Sequence, residues 1–191
     1  MDLNTSVIKK AKAYQKQIIK NYGHDPYNLL SHFDEMELWA DKLLKMFPEA
    51  KRDVVLLSVW LHDSGHYLGN PEEDHAVKSE SIANDFLKEL IDKNTRKRVC
   101  AAIRCHRCKD VQPVSIEEKI VACIDSVSHM TGPMYLDIAK EGRIEYCMGK
   151  IDRDYRDAGL IPEIQKQIEP IYHSWKTLIS EYSKLNLVTK K

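Results

Sequence analysis

VVLLSVWLHD, residues 54–63, decides the fold. Seven of its first eight residues are apolar, with no alternation of polar and apolar positions. A helix apolar nearly all round is a buried one, so this stretch predicts the central helix of an all-α protein. It should start near Lys51 and be stopped by Gly65. His62 and Asp63 close it. A histidine and an aspartate at the end of a buried helix are costly unless they are paired or bind a metal. Imidazole nitrogen and carboxylate oxygen together suit Fe, Mn, Co, Ni or Zn. Taken alone, the doublet has a second reading: a buried histidine with a local hydrogen bond, beside an aspartate that caps a turn.

Working outward, the pattern is helical almost throughout. Val7, Ile8, Ala11, Tyr14, Ile18 and Ile19 recur at helical spacing and predict a first helix over 5–21. GHDPYN, 23–28, breaks it. A second helix is expected from Ser31 to Phe47, stopped by Pro48. YLGNPEED, 67–74, reads as a loop. Helices follow over 75–91 and 95–108, then a turn at DVQP, 110–113. Ser115 stands three residues before Glu118, the spacing of a capping box, and opens a helix that ends at Gly132-Pro133. From Met134 onward the chain predicts two or three further helices with a break at Gly159 and Pro162. Nothing in the sequence marks a linker, so residues 1–191 are expected to form one domain, with the C-terminal helices 136–191 packed on a core of about 25–135.

Bulk properties narrow the function classes. The chain has 191 residues, of which 43% are hydrophobic, with 29 Lys and Arg balanced by 29 Asp and Glu. Zero net charge gives no global field for nucleic acid or an anionic membrane. The N-terminal stretch is too polar for a signal peptide, and Val54 to Leu61 is far short of a membrane span. The expectation is a cytoplasmic protein without membrane association. The five cysteines are expected as reduced thiols. Cys105 and Cys108 lack the second ligand pair that a structural zinc site needs, and are read as helix-packing residues.

Five of the eight histidines (32, 62, 66, 75 and 106) fall at or near predicted helix ends. His32 lies 30 residues before His62, and Asp125 lies 62 residues after Asp63. SHFDEMELWA around His32, LLSVWLHDSGH around the doublet and EEKIVACIDSVSH around Asp125 together resemble the HD-domain superfamily of metal-dependent phosphohydrolases. The resemblance covers roughly residues 25–135. It implies a helical bundle in which His32, His62, Asp63 and Asp125 hold a divalent metal ion. His24-Asp25 is a second doublet, but Pro26 follows it in a polar turn, and it is read as a helix-breaking loop.

The resemblance also implies a role for further histidines. His75 and His106 stand where the two-metal branches of the superfamily carry additional ligands. The alternative is a mononuclear site in which these two bind substrate phosphate. The expected cofactor is therefore a divalent ion (Fe, Mn, Co, Ni, Mg or Zn), one or two per chain. His66 occupies a slot where several branches carry Glu or Lys, and a histidine there can transfer a proton or contact phosphate. With Asp63 it forms the expected catalytic pair. Lys78, Arg104, Arg107 and His129 are candidates for substrate contact. Lys150, Arg153 and Arg156 recur at three-residue spacing and would line one face. The implied activity is hydrolysis of a small-molecule phosphate ester or anhydride, with a nucleotide as the class-level substrate. The rivals are a phosphodiesterase of cyclic or linear dinucleotides and a non-catalytic nucleotide or metal sensor. A homo-oligomer is compatible with the C-terminal helices.

Overall fold

The structure is a computed structural model that describes residues 3–25 and 28–185. Pro26 and Tyr27 of the expected helix break lie outside the described residues. Among the described residues there are nine α-helices, a short 3-10 turn and no strand. The helices are α1 (Leu3–Tyr22), α2 (Leu29–Met46), α3 (Arg52–Leu61), α4 (His75–Leu87), α5 (Lys93–Cys105), α6 (Ile116–Thr131), α7 (Met134–Lys140), α8 (Ile144–Ala158) and α9 (Pro162–Lys184). The 3-10 turn spans Ser64–His66. The all-α expectation holds. No helix among the described residues is long and apolar enough to cross a membrane.

Two compact units can be distinguished, Met1–Ala122 and Cys123–Lys191. In the first, α3 is buried from Val54 to Leu61, as its composition requires. It packs against α1, α2 and α5, while α4 packs against α5 and the 3-10 turn. In the second, α7, α8 and α9 pack on one another, with the break between α8 and α9 at Gly159 to Ile161.

Local chemistry sets the helix ends. The Asp25 carboxylate accepts from the backbone N–H groups of Leu29 (2.9 Å) and Leu30 (3.0 Å), so α2 starts two residues before the expected Ser31. Asp74 caps α4 and Asp92 caps α5, each accepting from first-turn N–H groups that have no helical partner. The capping box at α6 forms as expected: Ser115 Oγ accepts from Glu118 N–H (3.3 Å), and Glu118 Oε2 accepts from Ser115 N–H (3.2 Å).

Three helix ends depart from the sequence reading. Helix α4 stops at Leu87 instead of Ile91, with turn hydrogen bonds over the next residues. Helix α5 stops at Cys105, three residues early, and Cys108 takes a left-handed φ of 49° that reverses the chain. The third departure concerns Gly65, which does not stop α3. That helix ends at Leu61, and Gly65 sits inside the 3-10 turn. Its backbone lies so close to α4 that a Cβ would stand 2.4 Å from the His75 carbonyl oxygen. Glycine is needed there for close approach, with its N–H donating to Ser79 Oγ (2.9 Å).

Candidate metal centre

Four helix ends and the 3-10 turn bring five histidines and Asp63 together in the first unit. His32 comes from the first turns of α2. His62 and Asp63 directly follow α3, His66 ends the 3-10 turn, His75 opens α4 and His106 directly follows α5. The C-terminal ends of α3 and α5 both face this place, and helix C-termini carry partial negative charge that favours a cation.

Two rings are fixed from behind. His62 Nδ1–H donates to the Val59 carbonyl (2.9 Å), and His106 Nδ1–H donates to the Ile103 carbonyl (2.6 Å). A carbonyl only accepts, so Nδ1 carries the proton and Nε2 of the neutral ring presents a lone pair. Those Nε2 atoms face other imidazoles: His62 Nε2 is 3.4 Å from His32 Nε2, and His106 Nε2 is 3.3 Å from His75 Nε2. Burial depresses the His75 imidazole to about 3, and the neighbouring His66, His106 and Arg107 add to this against the pull of Asp63. It is therefore a neutral donor of electron pairs at pH 7.

Asp63 joins the two histidine pairs. Its Oδ2 lies 3.4 Å from His62 Nε2. Its Oδ1 lies 3.3 Å from His75 Nε2, and 3.7 Å from the Nε2 atoms of both His66 and His106. Burial opposes its charge, yet the His62, His66 and His75 imidazoles outweigh this and hold the carboxyl well below its ordinary range. Oδ1 nonetheless has no hydrogen-bond donor. A buried carboxylate oxygen without a donor is costly, a cost that a bound cation would offset.

These separations fit a metal site. Nitrogen and oxygen ligands at ordinary distances around one ion stand about 3 to 3.5 Å from one another. His32, His62 and Asp63 form one group with ligand atoms within 4.8 Å of one another, and Asp63, His66 and His75 form a second. His66 differs from the other histidines. Its ring stacks on His75 with centroids 4.0 Å apart and planes at 25°. An ion lies close to the plane of each imidazole that binds it, a condition that two stacked rings at 25° meet less readily than crossed ones. The His32–His62, His75–His106 and His62–His106 pairs, at 53°, 47° and 78°, are free of that restriction.

The cationic candidates have other partners. Lys78 is buried, and its ammonium donates to the Asn70 carbonyl (2.8 Å), tying the 67–74 loop to α4. Arg104 is bidentate to Asp110. Arg107 pairs with Asp74. In the second unit, Asp125 is buried on α6, and His129 lies one turn later with Nε2 3.8 Å from Asp125 Oδ1. The sequence reading missed the surroundings of His129: Lys150 Nζ is 3.1 Å from its Nδ1 and donates to Asp154 Oδ1 (2.6 Å), and Tyr135 donates to Asp154 Oδ2 (2.6 Å). The spacing of Lys150 from Arg153 and Arg156 hid this. Arg153 instead lies over the Tyr146 ring, and Arg156 pairs with Asp157. Asp25 of the other doublet is occupied as the cap of α2 and accepts from Tyr67. Cys105 and Cys108 are buried, and burial pushes the Cys105 thiol up to about 12.

The family model of the HD domain matches residues 29–130, which is more than half of the chain. The chain belongs to the HD-domain family. Searches of curated proteins and of solved structures gave no match. The HD domain brings the expectation of a divalent metal, and the His/Asp cluster of the first unit has the donor set and spacing to hold one.

Proposed function

We propose that the chain hydrolyses a phosphate ester or anhydride, with a nucleotide as the substrate class, using two divalent ions on either side of Asp63. The observation that carries this reading is Asp63 Oδ1: a buried oxygen, without a hydrogen-bond donor, facing three imidazole nitrogens within 3.7 Å. His32, His62 and Asp63 would hold the first ion. His75 and His106 would hold the second, with Asp63 shared. The ions would supply positive charge and an acidified water for in-line attack at phosphorus.

The chain's own residues have separable tasks. The carbonyls of Val59 and Ile103 hold His62 and His106 in the tautomer that presents Nε2. Asp63 stays ionised. His66, stacked against His75 and about a quarter exposed, would exchange a proton with the substrate or contact its phosphate, a role its partial exposure supports. The nucleotide assignment rests on the family resemblance.

The test is elemental analysis of the purified protein together with a phosphate-release screen over nucleotides, with Mn2+ or Co2+ added. About two ions per chain and metal-stimulated release are expected, and Asp63→Ala should abolish both. Full release in that variant would overturn the proposal. Preference for bis-p-nitrophenyl phosphate over the monoester would move the substrate class to diesters.

A further inference from the structure

We infer that Asp74 and Arg107 are positioning residues for the second ion, an ion pair that sets the separation of His75 from His106. The inference rests on the two-ion reading above. Asp74 immediately precedes His75, and Arg107 immediately follows His106. One pair therefore joins the backbone beside each histidine, 33 residues apart.

The two oxygens of Asp74 divide the work. Oδ1 accepts from Ala76 N–H (3.0 Å) and caps α4. Oδ2 takes the Arg107 guanidinium, with Lys109 Nζ further off at 3.6 Å. The start of α4 is thus held on two sides. On one side, Gly65 lies against the His75 carbonyl and fixes α4 to the turn that carries Asp63 and His66. On the other, the pair with Arg107 fixes it to the segment that carries His106. That segment lies beyond the end of α5 at Cys105, where the chain reverses at Cys108, and the Arg107–Asp74 pair ties it to the start of α4. Without the pair, nothing described on the side chain of Arg107 holds the His106 turn against α4. His75 and His106 would then lose their 3.3 Å approach, while His32, His62 and Asp63 would keep theirs.

This predicts a selective metal defect. Chelator-stripped wild type, Arg107→Gln, Arg107→Lys and Asp74→Asn are titrated with Mn2+ by calorimetry, with ion content by elemental analysis and melting temperature as a check on folding. Asparagine at 74 still caps a helix, so that variant removes the ion pair while leaving the cap. Wild type should show two sites. Arg107→Gln should keep the first and weaken the second roughly 10- to 100-fold, the usual effect of losing a residue that supports a ligand. Asp74→Asn should do so at least as strongly, because Lys109 loses its partner too. Arg107→Lys should recover part of the affinity, since lysine keeps the charge but not the planar fork. Second-site affinity within threefold of wild type in both Arg107→Gln and Asp74→Asn overturns this inference alone. So does an equal loss at both sites. A wild type with a single site overturns the two-ion reading and this inference with it.

Discussion

Asp63 in the first unit and Asp154 in the second are both buried carboxylates with imidazole beside them, and both are held below the ordinary carboxyl range. Their oxygens meet different company. Asp154 accepts from Lys150 on one oxygen and from Tyr135 on the other, with His129 Nδ1 at 3.3 Å. Its charge is balanced by donors that the chain provides. Of the imidazoles around Asp63, His62 and His106 have their Nδ1 protons on carbonyls, and Asp63 Oδ1 has no hydrogen-bond donor. A satisfied buried carboxylate belongs to the fold, whereas one with an oxygen that lacks a donor is suited to a cation. Burial and a depressed pKa are common to both, so the supply of donors is what distinguishes Asp154 from the candidate ligand Asp63.

The widest separation should come from removing each carboxylate. Asp63→Ala should abolish metal-dependent phosphate release, while Asp154→Ala should keep its metal content and lose stability. Breaking a buried charge network typically costs about 3 to 5 kcal/mol. In a chain of this size that lowers the melting temperature by roughly 6 °C or more, read by calorimetry. A substantial loss of bound metal in Asp154→Ala would erase the distinction.

Chelation should act on one carboxylate alone. With free ion at about 100 times its Kd, a single site stabilises the native state by about 2.7 kcal/mol. A chelator should therefore lower the melting temperature of wild type and leave that of Asp63→Asn unchanged. In metal-free protein Asp63→Asn should be neutral or stabilising, because a carboxylate without a donor is replaced by a neutral group. Asp154→Asn should be destabilising under the same conditions.

Gly65→Ala tests the backbone on which the first carboxylate depends. The new methyl would meet the His75 carbonyl, and neither backbone can yield cheaply. Overpacking of this kind costs about 1 to 3 kcal/mol. The variant should also bind less metal, because Asp63 and His75 are forced apart. An unchanged metal content would show that the close approach serves stability only.

The smallest effect is in acid. The Asp154 carboxyl is depressed in the folded protein, so the unfolded chain binds more protons as the pH falls. Its stabilisation is full above the unfolded value of about 3.9 and is lost as the pH drops toward the lower folded value. Melting temperature followed downward from pH 5 should fall more steeply for wild type than for Asp154→Asn. Parallel curves would remove Asp154 from the account of acid stability.

Much of this contrast was legible before any coordinates. The apolar run ending in His62-Asp63 located α3 and its doublet, and the capping box located the start of α6, because both depend on neighbours in sequence. His32, His75 and His106 stand out only through the resemblance to the HD-domain superfamily. The partners of the cations were not legible. Lys78, Arg104 and Arg107 are positive charges near histidines in the sequence, yet they face Asn70, Asp110 and Asp74, and those pairings depend on loop paths that no local pattern encodes. Gly65 looks like a helix stop in sequence because glycine commonly ends helices; its contact with His75 is tertiary. The Tyr135–Asp154–Lys150 network was invisible for the same reason, since it joins α7 to α8 through residues with no motif between them.

The hydrogen bonds that hold His62 and His106 each reach a carbonyl three residues back in the helix just ended. Orientation of these two rings is thus a portable property of a single helical turn. The side chains at 59 and 103 are not recruited as anchors; both are fully buried and serve the core instead. For protein engineering this suggests a compact graft: a histidine placed directly after the last residue of a rigid helix arrives with its tautomer already selected, needing no supporting carboxylate from elsewhere in the scaffold.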